Sequence, residues 1–144
     1  MQGLSTNNLV LGAVPVSATG QTLYISGLPI VSKETFSKTV VFFNQTGLPN
    51  NQYYFPIWRA PFPCYITGIH GYMNSGTKAV VNARQNNVNF HLISGMTLHA
   101  EDTWYSSGII QSQNYYQNSG LEAVISGLEG LPMSVTVQID FIKL

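Results

Sequence analysis

The stretch Ser134-Val135-Thr136-Val137-Gln138-Ile139-Asp140-Phe141-Ile142-Lys143-Leu144 decides the fold class. Val135, Val137, Ile139 and Phe141 fall on one side of an extended chain, and Thr136, Gln138 and Asp140 fall on the other. Successive side chains of a strand point to opposite faces, so the alternation predicts a half-buried β-strand. It continues to the last residues, and the expectation is a C-terminus held inside a sheet. In an oligomer, the polar side of this strand would line a seam between subunits.

Moving back along the chain, Gly127–Pro132 reads as a turn and Leu121–Ser126 as a strand. Ser112–Gly120 is a polar loop carrying Tyr115 and Tyr116, and Tyr105–Gln111 is a further expected strand. Val88, Phe90 and Leu92 alternate with Asn89 and His91, and Ala79, Val81 and Ala83 share a face. Turn residues at Asn74–Thr77 and Gln85–Asn87 predict two hairpins in series over residues 64–93. Gly68 and Gly71 interrupt the strand 64–73, where glycine marks a bend, a bulge or a close backbone approach. Tyr53–Pro63 is dense in aromatics, and its three prolines exclude a central strand. Thr39–Phe43 is a β-branched and aromatic strand. No window carries a 3.6-residue apolar period, and some eight short strands with regular turn signals indicate an all-β sandwich or barrel.

Residues 1–32 hold an internal repeat. Leu9-Val10-Leu11-Gly12-Ala13-Val14-Pro15-Val16 matches Leu23-Tyr24-Ile25-Ser26-Gly27-Leu28-Pro29-Ile30 at a spacing of fourteen. Each unit is a short apolar strand, a small-residue turn and an apolar-Pro-apolar strand. Proline lacks a ladder donor, so each unit is expected to end at an edge or to bend after its proline. Two ordinary N-terminal strands of the main domain would also produce this pattern. The charged run Lys33–Lys38 is taken as a boundary, with an N-terminal arm over 1–37 and the main domain over 38–144.

Composition narrows the function. Of 144 residues, 44% are hydrophobic but only 8% are charged, and the net charge is zero. A typical soluble domain carries about 25% charged residues. So few charges give little repulsion between copies, which favours life in an assembly. The scattered cations form no basic stripe, which argues against nucleic acid. No apolar run approaches the ~20 residues needed to span a membrane, and no secretory signal pattern opens the chain. Cys64 is the single cysteine, so no intrachain disulfide can form.

The segments Ile66–Arg84, Leu98–Ile110 and Glu122–Phe141 carry a familiar succession. A strand, a Ser-Gly-Thr turn and a strand are followed by Ala-Glu-Asp-Thr-Trp, Ile-Ser-Gly-Leu-Glu-Gly-Leu-Pro and a closing Val-Gln-Ile-Asp-Phe. This resembles the C-terminal jelly-roll domains of tailed-bacteriophage virion proteins found on fibres, head fibres and capsid decorations, over roughly half the chain. The resemblance implies an antiparallel jelly-roll sandwich with a short N-terminal β-repeat arm, assembled as a homotrimer on the virion surface. It implies binding to the major capsid protein or another virion protein through the arm, with Leu9, Leu11, Val14, Pro15, Leu23, Ile25, Leu28 and Pro29 as anchoring residues. The alternative within the family is a tail fibre or receptor-binding knob that recognises host surface glycan. The short chain favours the decoration or head-fibre role.

No catalytic motif is present, no enzyme activity is expected, and no cofactor or metal is assigned. His70, His91 and His99 lack metal-ligand spacing and read as polar side chains at a surface or a subunit contact, though a metal on a threefold axis would need only one per chain. Adjacent Glu101 and Asp102 are poorly placed for paired-carboxylate chemistry, and Asp102 reads as a turn cap. Cys64 reads as a buried small apolar residue. Aromatics with a polar tip suit interfaces and sugar contacts, which makes Tyr53, Tyr54, Trp58, Trp104, Tyr115 and Tyr116 the candidate subunit-interface or glycan-contact residues.

Overall fold

The computed structural model describes residues 33–43 and 52–144, together with the backbone of four strands between residues 8 and 30. The chain forms two compact units, Met1–Lys33 and Glu34–Leu144. In the first, β1 (Asn8–Leu11), β2 (Val14–Thr19), β3 (Thr22–Ile25) and β4 (Leu28–Ile30) make a four-stranded antiparallel sheet in sequential order. The repeat is visible in it, because β1 and β3, like β2 and β4, begin fourteen residues apart. Pro15 pairs only with Val10 of β1, and Pro29 sits on the edge strand β4. Each proline therefore has a neighbour on one side only, as a residue without an N–H demands. The anchoring residues expected from the repeat all fall in this unit, and their side chains lie outside the described residues.

The second unit is all-β, with two antiparallel sheets in a sandwich-like arrangement and no helix among the described residues. Its strands are β5 (Thr35–Phe43), β6 (Tyr53–Arg59), β7 (Cys64–Asn74), β8 (Lys78–Gln85), β9 (Asn89–Phe90), β10 (Met96–Leu98), β11 (Trp104–Ser106), β12 (Asn114–Tyr115), β13 (Gly120–Glu129) and β14 (Ser134–Lys143). One sheet runs β11-β7-β14-β5 with β12 added to β7; the other runs β10-β8-β13-β6 with β9 added to β8.

The C-terminal strand is central. It pairs with β5 from Ser134↔Phe43 to Ile142↔Thr35 and with β7 on its other side. Val135, Val137, Ile139 and Phe141 are fully buried, and each such side chain stabilises the fold by about 1.5–3 kcal/mol. Ala79, Val81 and Ala83 of β8 are buried on one face, as their alternation predicts. Gly71 lets the two sheets approach: a Cβ there would lie 2.8 Å from Leu98 and 3.0 Å from Val81. Gly68 adjoins a bulge, where the register with β14 passes from Asp140↔Gly68 to Phe141↔Ile66. Both expected uses of glycine, bulge and close approach, are thus realised in β7.

Three expectations change. Phe36 stacks on Phe141 at 5.2 Å and meets Trp58 at 5.5 Å, so Thr35–Lys38 are strand and the boundary falls before them. β7 and β8 are joined by a tight turn but lie in different sheets, because both edges of β7 are occupied by β14 and β11. Only the β8–β9 hairpin forms. The strand expected over Tyr105–Gln111 ends at Ser106. There Ser107 closes the ladder twice, its N–H donating to the Ile69 carbonyl and its hydroxyl accepting from the Ile69 N–H. The aromatic segment, whose prolines exclude a central strand, supplies the edge strand β6, where Pro56 is tolerated.

Candidate functional site

The outward side of β14 carries the densest polar array. Ser37 Oγ donates to Asp140 Oδ1 (2.5 Å), His70 Nε2 meets Asp140 Oδ2 (2.8 Å) and Ser106 Oγ meets His70 Nδ1 (2.9 Å). Gln138 adds a bond of 3.0 Å to Asp140 Oδ1. The line Ser37, Asp140, His70 and Ser106 crosses the sheet through β5, β14, β7 and β11, with Gln138 of β14 beside it. Gly68 permits it, since a Cβ at that position would lie 2.8 Å from the His70 ring. Burial works to raise the pKa of Asp140. The bonds from Ser37, Gln138 and His70 and the charge of His70 outweigh it and hold the carboxyl below its ordinary value. Serine, histidine and aspartate meet here, but the carboxylate already accepts three bonds and both imidazole nitrogens are engaged. The array acts as a transverse fastening of the sheet. Sequence spacing could not reveal it, because His70 and Asp140 are 70 residues apart and only strand register joins them.

Beside it, Tyr72 and Trp104 contact at 5.3 Å, and the Tyr72 hydroxyl donates to Asp102 (2.6 Å). That bond is the main reason the Tyr72 pKa is raised. Asp102 adopts φ 55° in the turn before β11, the turn role its sequence suggests.

The candidate aromatics separate. Trp104 is 54% exposed and Tyr116 71%, but Tyr115 is 1% exposed. Tyr115 pairs with Cys64 at one end of β7 and Trp104 with Tyr72 near the other, about 25 Å apart at the usual strand rise. A single groove lined by these aromatics therefore does not form. Trp58 packs inside, against Phe36, Phe62 and Phe141. Tyr53 stacks on Phe42 at 5.4 Å, while Tyr54 covers the Arg84 guanidinium at 3.6 Å. Arg84 in turn pairs with Glu122 (2.5 Å).

His91 was expected at a surface or a subunit contact and is instead fully buried within the chain. Its Nδ1 bonds the Gln111 carbonyl (2.9 Å) and its Nε2 bonds the Tyr115 hydroxyl (2.6 Å). The alternation misleads because β9 ends at Phe90. There the Asn82 side chain takes both backbone groups of Leu92, donating to its carbonyl (2.9 Å) and accepting from its N–H (3.0 Å). Burial lowers the His91 pKa, an effect the Gln111 carbonyl only partly offsets. Cys64 is fully buried, as its composition context suggests, and burial pushes its thiol up to about 11.

One surface bearing highly exposed isoleucines was not flagged by the sequence. Ile93 is 85% and Ile109 90% exposed. A groove of about 330 Å³ lies between their loops. A second, of about 610 Å³, shares Leu92–Gly95 and continues over Val80, Asn82 and Val124. Neither groove has a charged residue in its lining. No group of three or more metal-ligating side chains is present among the described residues. No family model, curated protein or solved structure matches the chain.

Proposed function

We propose that the chain is a structural protein of a tailed-phage virion surface, a homotrimeric capsid decoration or head-fibre subunit. In this reading Glu34–Leu144 is a jelly roll and the N-terminal repeat sheet holds the particle. The order β5-β14-β7-β11 beside β6-β13-β8-β10 supports the jelly-roll assignment: leaving aside the two-residue strands β9 and β12, successive strands alternate between the sheets, except where β8 passes to β10. The observation that carries the assembly reading is the uncharged surface around Ile93 and Ile109. Large apolar side chains bordering uncharged grooves mark association surfaces. With a net charge of zero, nothing long-ranged opposes contact between copies.

Light scattering on the eluted protein tests this. The parent chain should elute as three copies, and Ile93→Asp with Ile109→Asp should yield single folded chains. A single-chain mass for the parent protein would defeat the assembly reading. Attachment is tested by sedimentation with phage particles. The full chain should co-sediment and a chain lacking residues 1–33 should not; a truncated chain that still pellets would remove the anchoring role from the repeat.

A further inference from the structure

Arg59 stands apart from the other cations of the sandwich. Lys78 pairs with Glu129, Arg84 with Glu122 and Lys143 with Glu34. Lys38 lies over the Trp58 ring at 4.9 Å. Arg59 is exposed, has no acidic partner among the described residues, and spends only its Nε on the Asn118 carbonyl (3.4 Å). Its terminal nitrogens remain as a fork for a carboxylate.

The setting is concave. A groove of about 650 Å³ is bordered by Pro56, Ile57, Arg59, Asn86, Asn87 and Asn118. It lies on a β-bulge: Leu121 faces Trp58 and Glu122 faces Pro56, leaving Ile57 as the extra residue. Bulges re-aim the side chains that follow them. All three asparagines have left-handed backbones, with φ of 52°, 63° and 73°. Asn86 Oδ1 accepts the Gly120 N–H (2.7 Å), leaving its amide N–H groups as donors. The Asn118 side chain makes no hydrogen bond among the described residues. With its amide nitrogen turned toward Glu122, Asn87 lies 3.0 Å from that carboxylate, which Arg84 already neutralises.

We infer that this groove binds a carboxylate-bearing saccharide. The guanidinium fork takes the carboxylate, the Asn86 and Asn118 amides take ring hydroxyls, and the exposed ring of Pro56 gives an apolar contact for the C–H face. A single cation matches a monoanionic carboxylate; a phosphate or nucleic-acid backbone would call for more positive charge than the groove holds. This inference is independent of the virion reading, because nothing in it depends on what the chain assembles with.

The test is an NMR titration of the isotope-labelled full chain with glucuronic acid and with N-acetylneuraminic acid. The methyl ester of each serves as the uncharged partner, and sodium acetate as the simple anion. At least one sugar acid should shift the Arg59, Asn86 and Asn118 signals, with its ester about tenfold weaker or worse. Arg59→Gln should abolish the shifts, and Arg59→Lys, which keeps the charge without the fork, should weaken binding by a similar factor while leaving the remaining spectrum unchanged. The inference is overturned if neither acid shifts these signals, if the esters bind as well as the acids, or if acetate reproduces the shifts.

Discussion

Tyr115→Phe removes one oxygen atom from the centre of the sandwich and leaves the ring on Phe141, 5.4 Å away, in place. The Tyr115 pKa is driven far up, chiefly by burial and further by Cys64, so the hydroxyl stays protonated and donates to His91. His91 is neutral by the opposite logic, with Nδ1–H given to the Gln111 carbonyl and Nε2 accepting. Deleting the hydroxyl leaves a fully buried acceptor without a donor, which costs about 1–3 kcal/mol. For a unit of this size that lowers Tm by roughly 4–12 °C, measured by calorimetry near pH 7.5. His91→Leu combined with Tyr115→Phe removes both polar partners, so the two losses should fall short of adding by about 1 kcal/mol or more.

The pH dependence has a definite sign. The folded pKa of His91 lies below its ordinary 6.5, so below that pH the unfolded chain binds more protons than the folded one. Stability from this group is present above 6.5 and is lost as pH falls toward the folded value. His91→Leu should flatten that part of the curve. If Tyr115→Phe melts with its parent, or if the two substitutions add without coupling, the hydrogen bond between His91 and Tyr115 does not stabilise the sandwich.

Gly71→Ala places a methyl against Leu98 and Val81, and should destabilise by about 1–3 kcal/mol in denaturant titration. Asp140→Ala unfastens β5, β14 and β7 and should cost about 0.5–1.5 kcal/mol at pH 7. Because the Asp140 pKa is lowered from 3.8, its contribution is full above that pH and fades as pH falls through the folded value, so the variant and its parent should converge in stability in strong acid. Cys64, buried with a thiol at about 11, should ignore a disulfide reagent at pH 8 in the native chain and react once guanidinium unfolds it.

What could be read without coordinates was local. The alternation of Val135, Val137, Ile139 and Phe141 needs only the two-residue period of a strand, and it correctly marked the buried face of β14. Gly68 and Gly71, the turn at Gln85–Asn87 and the paired hairpins of the N-terminal repeat were legible for the same reason: each rests on the conformational limits of a few adjacent residues. The meeting of His70 with Asp140, the burial of His91 and Tyr115, and the unpaired fork of Arg59 were not legible. Each depends on which strand lies beside which, and in what register. Polar His91 and Tyr115 can be buried only where each completes the other's hydrogen bond, a condition set by residues 24 positions apart. Local sequence determined that this chain is β; the pairing of distant strands decided which of its polar groups are hidden, which are fastened and which remain free to bind.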